Sequence, residues 1–361
     1  MNHRLARLRA SLDAAGLPAL LVSAPANRRY LSGFTGSYGW LLITPEEALL
    51  FTDSRYTLRA AAEAPDYRVS QLANPGRPLT AALSEAAREL GLSRIAFEAA
   101  HTSVAEHARL AAALGDAVEL LPCEGVVEEL RQVKDMAELA VLRRAIAITD
   151  AAIQAVTPQL RPEQSEREVA WMLEVAMREG GADEIAFPII VAAGPNSAMP
   201  HYHPGDEQLG EGRPIVIDMG ARLDGYHADL TRTIVLGTPD DRFWQIYDIV
   251  LEAQRRALAG LRPDALTNEV DALARDYIAA AGYGDNFGHG LGHGVGLNIH
   301  EGPQLRRAGP ETPGAPLQAG MVTSVEPGIY IPGWGGVRIE DLVLITADGH
   351  EVLSMAPKLR A

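Results

Sequence analysis

The chain is organised around residues 288–301, which read GHGLGHGVGLNIHE. This segment holds three of the ten histidines, His289, His293 and His300, and five glycines at alternating positions. Because so much glycine disfavours a helix, the even spacing predicts an extended segment with His289 and His293 on one face and His300 after a bend. Glycine in a strand also indicates close approach of a backbone or a ligand. The alternative is a glycine-rich turn with incidental histidines.

The bulk composition predicts a globular protein of two domains. A chain of 361 residues is long enough for two sizeable cores. The net charge of −15 argues against nucleic-acid or anionic-membrane partners. Cys123 is the single cysteine, so no intrachain disulfide can form. Since residues 1–16 lack the apolar core of a signal peptide and no run suits a membrane span, we expect a cytoplasmic protein.

The first part of the chain, residues 1–125, alternates helical and strand patterns and predicts an α/β domain. Strands are expected at residues 19–22, 40–43, 48–52, 94–97 and 117–121, and helices near residues 55–63, 79–90 and 104–114. Residues 51–56, FTDSRY, stand at a strand-to-helix junction and are a candidate for function. The alternative is that Asp53 or Ser54 caps the next helix.

The second part, residues 126–361, predicts an α+β domain. A helix is expected over residues 135–156, and Ser165 with Glu168 forms a capping box at the start of another. From residue 185 onward, strands and glycine-proline loops predominate, with helices near residues 241–261 and 267–281.

Two aspartates flank a predicted hairpin in this second part. Residues 214–220 read PIVIDMG, an apolar strand that carries Asp218, and the returning strand carries Asp229. A turn at Leu223-Asp224 places the two carboxylates directly opposite each other, whereas a turn at Asp224-Gly225, the stronger signal, places them diagonally. In either register they share a face, and two like charges so close need a cation or a shared proton.

Two glutamates complete an acidic set. Glu326 follows an apolar run and Glu340 lies in a second strand, but the loop between them is too irregular to predict their register. Taken singly, each glutamate could be a solvent-exposed acid on the face of a strand. Together with the two aspartates and His293, they supply four negative charges, which two divalent cations and a bridging hydroxide would bring to about −1. Such ligands suit Mn, Co, Fe or Zn, and two metals lower the pKa of a shared water.

Five segments in this order resemble the pita-bread metallopeptidases, and within them the Xaa-Pro aminopeptidase and prolidase branch. The segments are IDMG at 217–220, DLTRT at 229–233, the glycine-histidine stretch at 289–301, EPGIY at 326–330 and RIED at 338–341. Residues 51–56 resemble a recurring segment of the branch's N-terminal domain. The resemblance implies an α/β, creatinase-like N-terminal domain (residues 1–125) and an α+β pita-bread (creatinase/aminopeptidase-like) catalytic domain (residues 126–361).

The resemblance also implies a dinuclear metal site. Asp218 would chelate one ion, and Asp229 and Glu340 would bridge both. His293 and Glu326 would complete the other ion, with Glu326 also shuttling the proton of the attacking water. The ions would be Mn²⁺, with Co²⁺ or Zn²⁺ as alternatives.

A further set of residues matches the substrate side of the family. His201, His289 and His300 match histidines that position the scissile carbonyl and the proline, and His201 and His300 are counted with Glu326 as catalytic. Tyr330 and Arg338 match pocket positions. The implied substrates are peptides with proline at the second position, and a homodimer is expected because dimers are frequent among such proteins.

The predicted activity is that of an aminopeptidase which hydrolyses the N-terminal Xaa-Pro bond by a metal-bridged hydroxide. Gln304 stands where prolidases commonly place an Arg for a free carboxylate, although Arg306 and Arg307 lie close by. The alternative is an Xaa-Pro dipeptidase (prolidase). A methionine aminopeptidase is disfavoured by the additional N-terminal domain. A non-catalytic peptide-binding module is a remote alternative, because no ligand is missing.

Overall fold

The computed structural model describes residues 2–72, 78–309 and 313–360. The chain forms two compact units, Met1–Arg131 and Gln132–Ala361. The sequence analysis places the boundary after residue 125, whereas the division in the structure follows Arg131. The reason is the short helix Val126–Gln132, which buries Val127 and Leu130 in the first unit. The Tyr30 hydroxyl donates to the carbonyl of Leu130 at 3.2 Å, which ties this helix to the first unit.

The first unit is an α/β domain, as predicted. Its elements are α1 (Asn2–Ala14), β1 (Leu20–Val22), α2 (Pro25–Ser32), β2 (Trp40–Ile43), β3 (Ala48–Thr52), α3 (Thr57–Glu63), β4 (Arg68–Gln71), α4 (Leu79–Glu89), β5 (Arg94–Glu98), α5 (Val104–Leu114), β6 (Glu119–Cys123) and α6 (Val126–Gln132). The strands form one mixed sheet in the order β4-β3-β2-β1-β5-β6. Strands β1, β2 and β3 are buried along their whole length, as expected for the centre of such a sheet. The sequence analysis missed β4, because its residues RVSQ are exposed or half-buried and carry no apolar pattern.

The junction at residues 51–56 does not cap the next helix. Helix α3 begins at Thr57 without a side-chain cap. Asp53 instead accepts a hydrogen bond from the backbone N–H of Arg55 at 3.0 Å and pairs with the Arg55 guanidinium at 2.7 Å. The interpretation of Asp53 or Ser54 as the cap of α3 is therefore wrong.

The second unit is an α+β domain, also as predicted. Its elements are α7 (Met136–Val156), α8 (Glu166–Glu179), β7 (Glu184–Ile185), β8 (Ile190–Ala193), β9 (Ile215–Met219), β10 (Ala221–Leu223), β11 (Tyr226–His227), β12 (Leu230–Ile234), α9 (Asp241–Gly260), α10 (Thr267–Ala280), β13 (Gly292–Gly294), β14 (Glu301–Leu305), β15 (Val322–Val325), β16 (Gly328–Ile331), β17 (Gly335–Arg338), β18 (Asp341–Ile345) and β19 (His350–Val352). The sheets that matter for the site are β12-β9-β8, β14-β13-β15-β18-β19 and the hairpin β16-β17.

Helices α7 and α8 begin at reciprocal capping boxes. Asp135 and Glu138 form one, and Ser165 and Glu168 form the other, which the sequence predicts. Each box satisfies backbone N–H groups that have no partner inside the helix. Helix α9 buries one face, which includes Phe243 and Tyr247. This face packs in the core that also contains residues of β15, β16 and β17. Among the described residues, no helix has both the length and the apolar character that crossing a membrane requires.

Candidate metal centre

The two aspartates lie on the paired arms of one hairpin, Asp218 within β9 and Asp229 directly before β12. The chain turns at Asp224 and Gly225, both with positive φ (45° and 74°), and Leu223 pairs with Tyr226. This is the second of the two predicted registers, and it pairs Asp218 with Thr231. The Asp229 carboxylate is therefore diagonal to that of Asp218, on the same face.

The two glutamates lie opposite each other at a break between two β ladders. The ladder β15-β18 ends with Val325 opposite Asp341, and the ladder β16-β17 begins with Gly328 opposite Arg338. Both ladders have the same register, so Glu326 and Glu340 face each other in the interval between them. The sequence alone left this register open, and the structure places the two acids side by side.

His293 enters the cluster from β13, which lies between β14 and β15. A Cβ atom on Gly292 would lie 2.0 Å from the carbonyl oxygen of Ser324, and one on Gly294 would lie 2.0 Å from the carbonyl oxygen of Gly302. The glycines are thus required by the close approach of two backbones, as the sequence predicts. The strand is short, so His289 lies before it rather than on the same strand face as His293.

The ring of His293 presents one nitrogen to the carboxylates. Its Nδ1 lies 3.1 Å from the carbonyl oxygen of Gly294 and therefore carries the proton. Its Nε2 lies 3.3 Å from Oε1 of Glu326 and 3.6 Å from Oδ2 of Asp229. Burial lowers the pKa of His293, so Nε2 holds a lone pair that points at two carboxylate oxygens. A divalent cation between them, or a proton on one of the carboxyl groups, would turn this repulsive arrangement into an attractive one.

The electrostatics of the carboxylates fit a bound metal. Burial, followed by the charge of Glu340, raises the pKa of Asp229 well above its usual value, and burial likewise raises the pKa of Glu340. Burial raises the pKa of Glu326 to about 7. Within the described ranges, Oδ1 of Asp218 and Oε1 of Glu340 are buried without a hydrogen-bond partner. Ligand atoms of Asp229, His293 and Glu340 lie within 4.8 Å of one another, so the set can hold a divalent ion.

A hydrogen-bonded chain runs from Asp218 to His289. Arg338 donates to Oδ2 of Asp218 at 2.6 Å and to the hydroxyl of Tyr330 at 2.9 Å. The Tyr330 hydroxyl lies 2.9 Å from Nε2 of His289, whose Nδ1 faces the carbonyl oxygen of Gly290 at 2.7 Å. His289 is therefore neutral, donating from Nδ1 and accepting at Nε2, and burial lowers its pKa to about 4. Both ring nitrogens of His289 are engaged in hydrogen bonds within the protein. Only the carbon atoms of the ring are therefore available to the neighbouring cavity.

The cluster opens into a cavity of about 320 Å³. Asp218, Asp229, His293, Glu326 and Glu340 line its floor. The predicted substrate-side residues His201 and His300 line it as well, together with His203, for which the sequence suggested no role. Its apolar lining comes from Phe187, Pro188, Ile190 and Ile299, which the sequence analysis did not single out. Tyr330 lies behind the cavity, in contact with His289 and Arg338.

One residue close to the site escaped the sequence analysis. Thr231 donates from its hydroxyl to Oε2 of Glu340 at 2.7 Å and accepts from Nε of Arg338 at 3.0 Å. It therefore orients a candidate ligand and its neighbour together. The sequence could have indicated it, because a turn at Asp224-Gly225 pairs Thr231 with Asp218 and so places it beside the acids.

Comparison with known proteins assigns the class. Residues 140–347 match the model of metallopeptidase family M24, and residues 4–133 match the creatinase/prolidase N-terminal domain. The chain belongs to metallopeptidase family M24. Its pita-bread domain follows a creatinase-type N-terminal domain in the sequence. It is therefore a metallopeptidase, of a family that uses divalent metals.

Several of the similar proteins are named as Xaa-Pro peptidases. A structure of an Xaa-Pro dipeptidase from Bacillus anthracis is 40% identical, with a TM-score of 0.94 over 99% of this chain and 98% of that one. A structure of an X-Pro aminopeptidase from Thermotoga maritima is 38% identical, with a TM-score of 0.88 over 97% and 98% of the two chains. An Xaa-Pro dipeptidase of Pyrococcus horikoshii is 35% identical over 98% of this chain and 97% of its own length.

Proposed function

We propose that the protein is an Xaa-Pro dipeptidase that hydrolyses the bond between an N-terminal residue and a following proline. The observation that carries the proposal is a complete acidic set around His293, in a chain similar along its whole length to proteins named Xaa-Pro dipeptidase. The sequence analysis preferred an aminopeptidase and held the dipeptidase as the alternative. The names of the relatives reverse that order.

Five residues would hold two divalent ions in this proposal. Asp218 would be a ligand of one ion, His293 and Glu326 of the other, and Asp229 and Glu340 of both. The unpartnered oxygens of Asp218 and Glu340 and the free Nε2 of His293 support these assignments. Bound divalent ions would supply Lewis-acid polarisation of a carbonyl and a lowered pKa for water.

Glu326 is the proposed proton carrier. A carboxyl in the cavity lining can take a proton from an attacking water and release it to a leaving group, and the Glu326 carboxyl lines the cavity next to Asp229 and Glu340. The Ser324 hydroxyl donates to its Oε1 at 3.1 Å and keeps the carboxyl at the cavity floor. The proton taken by Glu326 would pass to the leaving proline nitrogen.

His201 and His300 are the proposed substrate-side groups. Both line the cavity next to the acidic cluster, and burial lowers the pKa of His300, which keeps its ring uncharged near neutral pH. The apolar residues Phe187, Ile190 and Ile299 suit the pyrrolidine ring of proline. A dedicated site is needed because proline has no N–H and a fixed φ, which a general peptidase groove handles badly.

An Xaa-Pro aminopeptidase is the second candidate, and Gln304 favours it. The Gln304 side chain lines the cavity, is exposed, and donates to the carbonyl oxygen of Glu301 at 3.0 Å. Among the described cavity residues, Arg338 is the one Lys or Arg, and Asp218 already binds its guanidinium. A free proline carboxylate would therefore lack a charged partner among them.

Hydrolysis of matched peptides by the metal-loaded protein tests both candidates. We expect a kcat/KM for Ala-Pro at least tenfold above that for Ala-Pro-Ala, about 1.4 kcal/mol in transition-state binding. The reverse ratio would establish the aminopeptidase, and Gln304→Arg should then shift the ratio back toward the dipeptide. Ala-Ala and Ala-Ala-Ala serve as controls for proline specificity. No hydrolysis of any Xaa-Pro peptide with Mn²⁺, Co²⁺ or Zn²⁺ would refute the proposal.

Three accompanying features stay predictions. Manganese as the native metal is checked by metal analysis of protein purified without chelator. A homodimer is checked by light scattering, and a cytoplasmic location by fractionation of the source cells.

A further inference from the structure

The two lysines of this arginine-rich chain share an unusual position. Lysine and arginine together number 32, and only Lys134 and Lys358 are lysines. Lys134 pairs with Glu301, which directly follows His300, at 2.9 Å. Lys358 pairs with Asp341, which directly follows Glu340, at 2.6 Å. Each lysine therefore neutralises a carboxylate that directly follows a residue of the candidate site in the sequence.

The Lys134–Glu301 pair is enclosed by protein. The side chains are only 1% and 8% exposed. The ammonium also donates to the backbone carbonyl of Gln132 at 3.3 Å, and the backbone N–H of Lys134 donates to the carbonyl of Gly320 at 2.9 Å. The lysine ammonium is a strongly hydrated point charge, so its burial is costly unless such close partners compensate it. Breaking a buried ion pair by removing one partner is strongly destabilising.

Glu301 closes the loop that carries His300. Residues 295–300 form this loop, and Gly294 pairs with Glu301 at its base. Oε2 of Glu301 accepts from the backbone N–H of Asn298 at 3.3 Å. A Cβ atom on Gly296 would lie 2.3 Å from Oε1 of Glu301, so the carboxylate packs against the loop backbone.

His227 holds the opposite side of the same loop. Its backbone N–H donates to the carbonyl oxygen of Gly296 at 2.9 Å, and its Nδ1 lies 2.9 Å from the same oxygen. At the far end of the loop, the His300 ring meets the His293 ring edge-on, with 4.4 Å between centroids. Among the described contacts, the loop that carries His300 is held by His227 and by the Lys134–Glu301 pair.

We propose that Lys134 is a positioning residue of the substrate site, which fixes the 295–300 loop, and with it His300, through the buried ion pair with Glu301. The inference rests on the proposed function for the role of His300. Lys134 touches no candidate ligand, and it acts on His300 only through Glu301 and the loop backbone.

The activity test uses Lys134→Met in the wild-type and in the His300→Ala background. We expect Lys134→Met to lower kcat/KM for Ala-Pro about 10²-fold with metal content unchanged, since small displacements of a positioning group cost this much. In the His300→Ala background it should add less than about threefold, because the group it positions is gone. If Lys134→Met does not fold, the double variant Lys134→Met/Glu301→Gln replaces it in both backgrounds. In this double variant neither side chain of the pair is charged. Arg143→Met, which breaks an exposed pair with Glu351, is the matched control and should change nothing.

Hydrogen exchange supplies a readout that does not depend on activity. In the metal-loaded variant, amides of residues 295–300 should exchange at least tenfold faster than in the wild type, and those of β15 should not change. An equal loss of kcat/KM in both backgrounds, or unchanged exchange of the loop, would overturn the proposal. A wild-type protein inactive toward every Xaa-Pro peptide would refute the proposed function alone, and the exchange data would still decide the role of Lys134.

Discussion

At the scale of single residues, the second nitrogen of each histidine decides what the ring can do. Nδ1 donates to a neighbouring carbonyl in His227, His289 and His293 alike. Nε2 accepts from Tyr330 in His289, but it faces carboxylates in His293. Within the same glycine-rich stretch, His289 therefore only lines the cavity, whereas His293 is a candidate metal ligand.

Replacement of Glu326 by Gln should abolish turnover without unfolding the protein. The amide keeps the size of the side chain and its contact with Ser324, but it cannot carry the proton and loses the ligand charge. We expect kcat for Ala-Pro to fall by about 10²–10⁴-fold. Glu252→Gln, which removes an exposed charge on α9, is the control. Near-wild-type turnover in Glu326→Gln would remove this residue from the mechanism.

His289 should make the stability of the protein fall in acid. Its pKa is lowered from 6.5 to about 4 on folding, so the unfolded chain binds a proton first as the pH drops. The stability contributed by the neutral ring is thus present above pH 6.5 and is lost between pH 6.5 and 4, to the extent of roughly 3 kcal/mol.

The test for His289 compares urea unfolding of wild type and His289→Gln at pH 6.5 and pH 4.5. The variant should be less stable at pH 6.5, because the Tyr330 hydroxyl loses the ring nitrogen to which it donates, but it should lose less stability on acidification. Equal losses in the two proteins would contradict the lowered pKa.

At the scale of secondary-structure elements, one acid lies within a strand and the other three lie next to strand ends that bring them together. The hairpin β9-β12 brings Asp218 and Asp229 together diagonally, and the interrupted ladders β15-β18 and β16-β17 bring Glu326 and Glu340 together directly. Strand β13 inserts His293 between them only because its glycines allow neighbouring backbones to approach. Substituting one of these glycines is therefore a test of the element itself.

Gly292→Ala should destabilise the protein far more than Gly288→Ala. A Cβ atom at residue 292 would lie 2.0 Å from a backbone oxygen, whereas one at residue 288 meets no atom within 4 Å. Overpacking of this kind costs about 1–3 kcal/mol, and the displaced strand should also reduce turnover. Gly288→Ala should change the free energy of unfolding by less than about 1 kcal/mol. Urea unfolding measures both, and equal effects would contradict the close approach of β13.

At the scale of the whole molecule, the candidate metal site joins segments that lie far apart in the chain. Its members come from β9, the residue before β12, β13, the interval between β15 and β16, and the interval between β17 and β18. An ion bound by all of them can bind only the folded protein, so it adds to stability by mass action. The raised pKa values of Asp229, Glu326 and Glu340 show how unfavourable these charges are without a cation.

Chelation should therefore abolish hydrolysis and lower the melting temperature together. Ion at about a hundred times its Kd contributes roughly 2.7 kcal/mol, which corresponds to a few degrees in a chain of this size. Mn²⁺ or Co²⁺ should restore both properties. Asp218→Asn should lower the metal content and reduce the shift, while Asp206→Asn, at an exposed pair with Arg167, should not. Full activity in exhaustively chelated protein would contradict the metal site.

Local periodicity and side-chain chemistry were enough to predict much of the fold. Buried runs predicted β2 and β3 at their observed bounds, the capping box at Ser165 predicted the start of α8, and the alternating glycines predicted close backbone contact at β13. These features depend on neighbours within a few residues. Strand β4 escaped because its exposed residues carry no such local pattern.

Tertiary structure decided what depends on residues far apart in the chain. The register across the loop between Glu326 and Glu340 follows from two ladders that pack on the same core, which no local pattern specifies. The engagement of both His289 nitrogens and the burial of the Lys134–Glu301 pair arise only when distant segments meet. The sequence by itself determined which side chains are available for chemistry. Packing decided which of their atoms are left free, because a hydrogen bond or a buried charge is set by contacts through space.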